Sequence, residues 1–123
     1  MCGNSVLADT NIILYLLSGE TNVSDLLHGK QTYLSFITEL ELLSFRNLSG
    51  HEYQNVKDFI SDCYIFDINQ QIKKIVIELR QNYSLKLPDA IVAATASYLD
   101  IPLITSDKDF RKIKEINIVF LAH

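Results

Sequence analysis

The apolar positions of this chain fall into two rhythms: short uninterrupted runs, and longer stretches in which they recur every three or four residues. The first suits a buried strand and the second an amphipathic helix. "SVLAD", residues 5–9, is a short apolar run ending in a carboxylate, and "NIILYLLSG", residues 11–19, has helical length with Gly19 placed as its C-terminal stop. A second small helix fits "NVSDLLHG", residues 22–29, closed by Gly29, before "QTYLSF", residues 31–36, returns to β-branched and aromatic content as a strand. "ITELELLSFRNLS", residues 37–49, carries Ile37, Leu40, Leu43 and then Ser44 as a helical stripe, entered past Ser35 and Thr38.

The same alternation continues to the end. "HEYQNVKDFISDC", residues 51–63, spaces Tyr53, Val56, Phe59 and Ile60 as an amphipathic helix, and "YIFDI", residues 64–68, is a third strand. "NQQIKKIVIELRQNY", residues 69–83, opens on Asn69 as an N-cap and runs Ile72, Ile75, Val76 and Leu79 along one face. In "PDAIVAATASYLD", residues 88–100, Pro88 sits where a first helical turn tolerates it, and Ala90, Ala93, Ala94 and Ala96 permit close packing. "IPLITS", residues 101–106, reads as the fourth strand, "DKDFRKI", residues 107–113, as a short helix and "INIVFLA", residues 116–122, as the fifth strand. Parallel strands need crossover connections that cover both sheet faces, so the pattern predicts an α/β fold, a parallel sheet of about five strands flanked by helices. It leaves the strand order open.

Composition narrows the class without naming a chemistry. The length of 123 residues predicts a single domain over 1–123, and 48% hydrophobic with 21% charged residues describes an ordinary globular chain. Cys2 and Cys63 have neither the number nor the spacing of a disulfide framework or a zinc site, and both read as free thiols. No signal segment or membrane-length apolar run is present in the sequence, so a cytoplasmic location with no membrane partner is expected, and the Asn-X-Ser matches lose their meaning there. A net charge of −4 argues against nucleic-acid binding by bulk electrostatics. That objection weakens where the negative charge is gathered at one place and balanced by cations.

Several acids follow strands. Asp9 ends the first strand, Glu41 lies in the helix after the second, Asp107 follows the fourth, and Asp89 opens the helix before it. In open parallel sheets, ligands bind beyond the carboxyl ends of the strands, so these acids are expected on one rim. Singly, each has a plain explanation as a helix cap, a turn residue or a solvated position. Together they make a set of hard oxygen donors suited to Mg²⁺ or Mn²⁺, which would relieve their mutual repulsion.

"LADTNIILYLL", "SFITELELL", "LPDAIVAATASYLDIPLITSDKDF" and "INIVFL" together resemble a PIN-domain ribonuclease of the VapC toxin type, over nearly the whole chain. The resemblance implies a PIN-like three-layer sandwich and metal-dependent cleavage of RNA by a metal-activated water, leaving 3′-hydroxyl and 5′-phosphate ends. It carries the catalytic acids onto Asp9, Glu41, Asp89 and Asp107, of which Asp9, Asp89 and Asp107 would hold the metal, with Asp109 a less regular fifth member. Thr10, Asn11 and Thr105 match polar positions that orient ligands or water. The implied partners are RNA, a small antitoxin protein and a second copy in a homodimer. "TELEL" offers both Glu39 and Glu41, which point to nearly opposite sides of a helix; the family spacing from Thr38 favours Glu41.

Lys108, Arg111 and Lys112 follow Asp107 and are the candidates for guiding RNA phosphates; a second basic group is Lys73, Lys74, Arg80 and Lys86. Other signals fail. His51-Glu52 lacks the second His of a zinc-protease motif, and Gly29-Lys30 lacks a glycine-rich loop before it. Two alternatives stand beside the nuclease: a PIN-like module that binds without catalysis, and a Mg²⁺-binding phosphoacceptor domain using Lys108, in which Glu41 and Asp89 would have no place.

Overall fold

The computed structural model describes residues 4–123, and within them strands and helices alternate as the apolar rhythms require. The strands are β1 (Ser5–Ala8), β2 (Gln31–Ser35), β3 (Tyr64–Phe66), β4 (Leu103–Thr105) and β5 (Ile118–Phe120). The helices are α1 (Thr10–Leu17), α2 (Thr21–Leu27), α3 (Phe36–Leu43), α4 (Gly50–Ser61), α5 (Gln70–Asn82) and α6 (Leu87–Leu99). Cys2 lies outside the described residues.

All neighbouring strands are parallel, in the order β3-β2-β1-β4-β5. Leu7 pairs with Tyr33 on one side and Leu103 on the other, so β1 is central and every one of its residues is buried. Successive side chains of a strand point to opposite faces, and this alternation sorts the core. Val6, Ala8, Leu34 and Ile104 pack with Ile12, Val23, Leu42 and Val56 from α1 to α4. Leu7 and Leu103 face the other way, onto Ile72, Val76 and Leu79 of α5 and the alanines of α6. Ala90, Ala93, Ala94 and Ala96 are all buried, and α6 packs along α5. The result is helices, sheet, helices.

Local chemistry sets the element ends. Gly19 has φ +90°, a left-handed conformation that ends α1 cheaply only because it has no Cβ. Ser49 and Glu52 form a reciprocal capping box: the Ser49 hydroxyl accepts from the Glu52 N–H at 3.0 Å, and Glu52 Oε1 accepts from the Ser49 N–H at 2.8 Å. Asn69 caps α5 as the sequence predicts, accepting from the Ile72 N–H at 2.8 Å.

The structure corrects the helix after β2. It ends at Leu43 rather than running to residue 49, and Asn47 has a left-handed φ of 67°; the capping box then starts a separate helix at Gly50. The stripe of Ile37, Leu40, Leu43 and Ser44 is not the buried face either. Thr38 and Leu42 are fully buried, whereas Leu40 is 52% exposed. Residues 108–112 form the short helix expected there, of the 3₁₀ type.

This register is testable. Leu42→Ala should lower unfolding stability by about 2–5 kcal/mol, the range for emptying a leucine site in a core, while Leu40→Ala should stay within about 0.5 kcal/mol of wild type. Urea denaturation of both variants measures the contrast; equal effects would place the wrong face inward.

Candidate active site

The strand order reverses direction between β1 and β4, since the chain builds outward from β1 to β2 and β3 and then returns to β4 on the other side. At such a switch point the loops leave the carboxyl ends of adjacent strands in opposite senses and open a crevice. Asp9 follows β1 and Asp107 follows β4, so both stand at that crevice.

Asp9 is buried and doubly held. Its Oδ1 accepts from the Ile12 N–H at 3.1 Å, capping α1, and its Oδ2 accepts from the hydroxyl of Thr105, the last residue of β4. The Thr105 Oγ1 in turn accepts from the Asp107 N–H at 3.0 Å. One buried hydroxyl therefore ties the Asp9 carboxylate, after β1, to the backbone of Asp107, after β4. Asp107 Oδ1 accepts from the Asp109 N–H at 2.9 Å, which starts the 3₁₀ turn. Asp89, in the first turn of α6, comes in from the facing side: Asp89, Asp107 and Asp109 each bring a carboxylate oxygen to within 4.8 Å of the other two. Across the opening, Glu41 of α3 accepts from the Thr10 hydroxyl at 2.5 Å.

Asp9, Glu41, Asp89 and Asp107 all line one cleft of about 430 Å³, along with Thr10 and Asn11. The four acids named from the sequence are thus brought together. Thr105 sits behind Asp9, and Asp109 joins from the exposed rim. Glu41 rather than Glu39 lines the cleft, because the register that buries Thr38 and Leu42 turns position 41 toward it.

The basic residues after Asp107 are disposed differently. Lys108, Arg111 and Lys112 are exposed and do not line the cleft; Arg111 stacks 4.7 Å over the Phe120 ring, and Lys112 Nζ donates to the Ser84 carbonyl at 2.6 Å. Sequence reading passed over Phe45 and Ser44 as wall residues. A partial signal was present, since Ser44, the C-cap of α3, lies three positions beyond Glu41, a spacing that shares a helical face, and Phe45 follows it just outside the helix.

Gathering these acids carries an electrostatic cost. Burial raises the Asp9 pKa above its usual 3.8; the Thr105 and Ile12 hydrogen bonds oppose the rise, and Asp107 and Glu41 add to it. Asp89 is also raised, first by burial and then by Asp107 and Asp109, with Lys86 offsetting part. Carboxylates crowded this way, all hard oxygen donors, fit a divalent cation such as Mg²⁺ or Mn²⁺.

The family model described as PIN domain matches residues 6–116. The chain belongs to the PIN-domain family. This PIN domain is 24% identical to Ribonuclease VapC2 of Methanocaldococcus jannaschii, with 94% of this chain and 93% of that protein aligned. Among solved structures, it resembles a toxin-antitoxin complex from Klebsiella pneumoniae at 37% identity, covering 93% of this chain and 95% of that one with a TM-score of 0.81. It also shares the fold of VapBC2 from Rickettsia felis bound to a promoter DNA fragment, at 21% identity over 95% and 98% of the two chains, with a TM-score of 0.80.

The raised Asp9 pKa has a definite sign in stability. The folded state holds this proton more tightly than the unfolded chain does, so ionisation costs nothing well below pH 3.8 and becomes destabilising as pH rises through the elevated pKa. Asparagine still caps a helix but cannot ionise. Asp9→Asn should therefore raise the urea midpoint in metal-free buffer at pH 7, and the gain should shrink as pH falls toward 3.8. A gain that is constant across this range would mean that Asp9 carries no such cost.

Proposed function

We propose that this PIN domain is a divalent-metal-dependent endoribonuclease and the toxin of a toxin–antitoxin pair. The observation that carries the reading is the convergence of Asp9, Glu41, Asp89 and Asp107 on one cleft at the switch point of the sheet. The ribonuclease named among its relatives and the toxin-antitoxin complex at 37% identity support the substrate and the partner.

Asp9, Asp89 and Asp107 would hold the metal, with Asp109 close enough to Asp89 and Asp107 to share it. When bound, such a cation lowers the pKa of a coordinated water and offsets charge on the leaving oxygen. The chain's own residues do the rest. Thr105 holds the Asp9 carboxylate and anchors the backbone of Asp107 beside it, and Thr10 steadies Glu41 at the opposite wall. Glu41 accepts a proton from the attacking water, and the Asn11 amide, exposed in the cleft, donates to a phosphate oxygen. Water oxygen bonds to phosphorus as the bond to the 3′ oxygen breaks; that oxygen leaves with the bonding electron pair and takes a proton from solvent to become a hydroxyl, and the other product carries a 5′-phosphate.

A phosphoacceptor domain of flavodoxin-like type would have its strands in the order 2-1-3-4-5, unlike the order 3-2-1-4-5 here. A module that binds without catalysis has no use for every acid in the cleft.

Purified protein incubated with single-stranded RNA and Mg²⁺ or Mn²⁺ should yield fragments with 5′-phosphate ends, and EDTA should stop the reaction. Full activity in EDTA would overturn metal dependence. Asp89→Asn and Asp107→Asn should abolish cleavage while the protein stays folded. Glu41→Gln should cost about 10²- to 10⁴-fold, the usual worth of a positioned proton acceptor, whereas Glu39→Gln should leave the rate within about twofold. The reverse order of the two glutamates would remove Glu41 from the mechanism. RNA sequencing after brief expression in cells would show whether one discrete RNA is cut.

A further inference from the structure

Beside the acid cleft lies a second hollow of about 180 Å³, and Phe45 is a wall of both. Its floor is apolar, formed by Leu14, Leu48 and Val56, while Asn55 and Glu52 stand at its edge on α4. Phe45 itself is 42% exposed, an aromatic ring held at the boundary between the two spaces. We propose that this hollow receives the base of the nucleotide next to the cleaved phosphate, stacked on Phe45 and read at its edge by Asn55. The proposal rests on the nuclease reading above and deepens it by assigning a base subsite.

Size, charge and continuity favour this occupant. The hollow falls below the roughly 300–1,000 Å³ of pockets for drug-sized ligands and suits one planar ring system. Among the described residues lining it there is no Lys or Arg, and Glu52 is held as an anion by the Ser49 backbone N–H, which lowers its pKa. Such a space repels a phosphate but accepts a neutral base. Single-stranded RNA is recognised largely by stacking unpaired bases on aromatic rings and by hydrogen bonds to their edges. Asn55 is exposed and offers both a donor and an acceptor, the combination that reads a base edge. A strand whose phosphate lies among the acids must pass Phe45 to leave the cleft on this side.

The probe is a short single-stranded RNA carrying 2-aminopurine at each position in turn, whose fluorescence falls when the base stacks; this readout needs no cleavage. Wild type should quench it at one position, Phe45→Tyr should preserve the effect and Phe45→Ala should remove it, with circular dichroism confirming that both variants fold. In cleavage assays, Phe45→Ala should lose roughly 5- to 150-fold in kcat/KM, the worth of one stacked base. An abasic nucleotide at the same position should cost wild type a similar factor, and combining variant and abasic RNA should be no worse than either alone. Asn55→Ala should keep the quenching but flatten the base preference at that position. Quenching unaltered in Phe45→Ala, additive losses with abasic RNA, or no quenching at any position would each overturn the base subsite. If Phe45→Ala leaves RNA untouched but abolishes binding of a protein partner, the hollow is that protein's docking place and the proposal falls. Phe45-dependent quenching without any cleavage by wild type would retain the base subsite and sink the nuclease reading instead.

Discussion

The hydroxyl of Thr105 is the joint on which the cleft depends. It donates to Asp9, 96 residues earlier in the sequence, and accepts from the Asp107 backbone. Because Thr105 is buried, its bond to Asp9 is shielded from water, and a buried hydroxyl without partners would cost free energy. Bonding the Asp9 carboxylate and the Asp107 N–H satisfies the hydroxyl and joins the two acid-bearing loops in one stroke. A valine of the same shape would fill the volume and lose the joint.

Around that joint the fold solves an electrostatic problem. Parallel strands bring their carboxyl ends to one rim, and the switch between β1 and β4 leaves a crevice there that the crossover helices do not cover. The chain then places its acids in that crevice, where partial burial and mutual repulsion raise the pKa values of Asp9 and Asp89. Strain of this kind is tolerable because the hydrophobic layers on either side of the sheet are large and continuous.

Much of this was legible in the sequence because it depends on local rules. Asp9 and Asp107 could be assigned to one rim once their strands were read as parallel, and Asn69, Gly19 and Pro88 mark helix ends by their own chemistry. The face of α3 was not legible. Its sequence, "FITELELL", is apolar nearly all round, so periodicity could not say whether Leu40 or Leu42 turns inward; the long-range packing of Leu42 with Leu34 and Val56 decides it. Strand order was equally hidden, since it rests on pairings such as Leu7 with Leu103 that leave no local trace. The arrangement of the basic residues escaped for a related reason: Arg111 and Lys112 have partners, the Phe120 ring and the Ser84 carbonyl, that only the folded chain supplies.

The distance in sequence between β1 and β4 also has a temporal meaning. Helices and the neighbouring β1–β2 pair can form from nearby segments, but the β1–β4 contact closes a loop spanning most of the chain, and such closures come late and slowly. During synthesis, which proceeds from the N-terminus, Asp9 and Glu41 emerge long before Thr105 and Asp107 are made. The acid cleft thus cannot exist on a partial chain. Whatever chemistry it performs waits until Thr105 and Asp107 have been made and β4 has paired with β1.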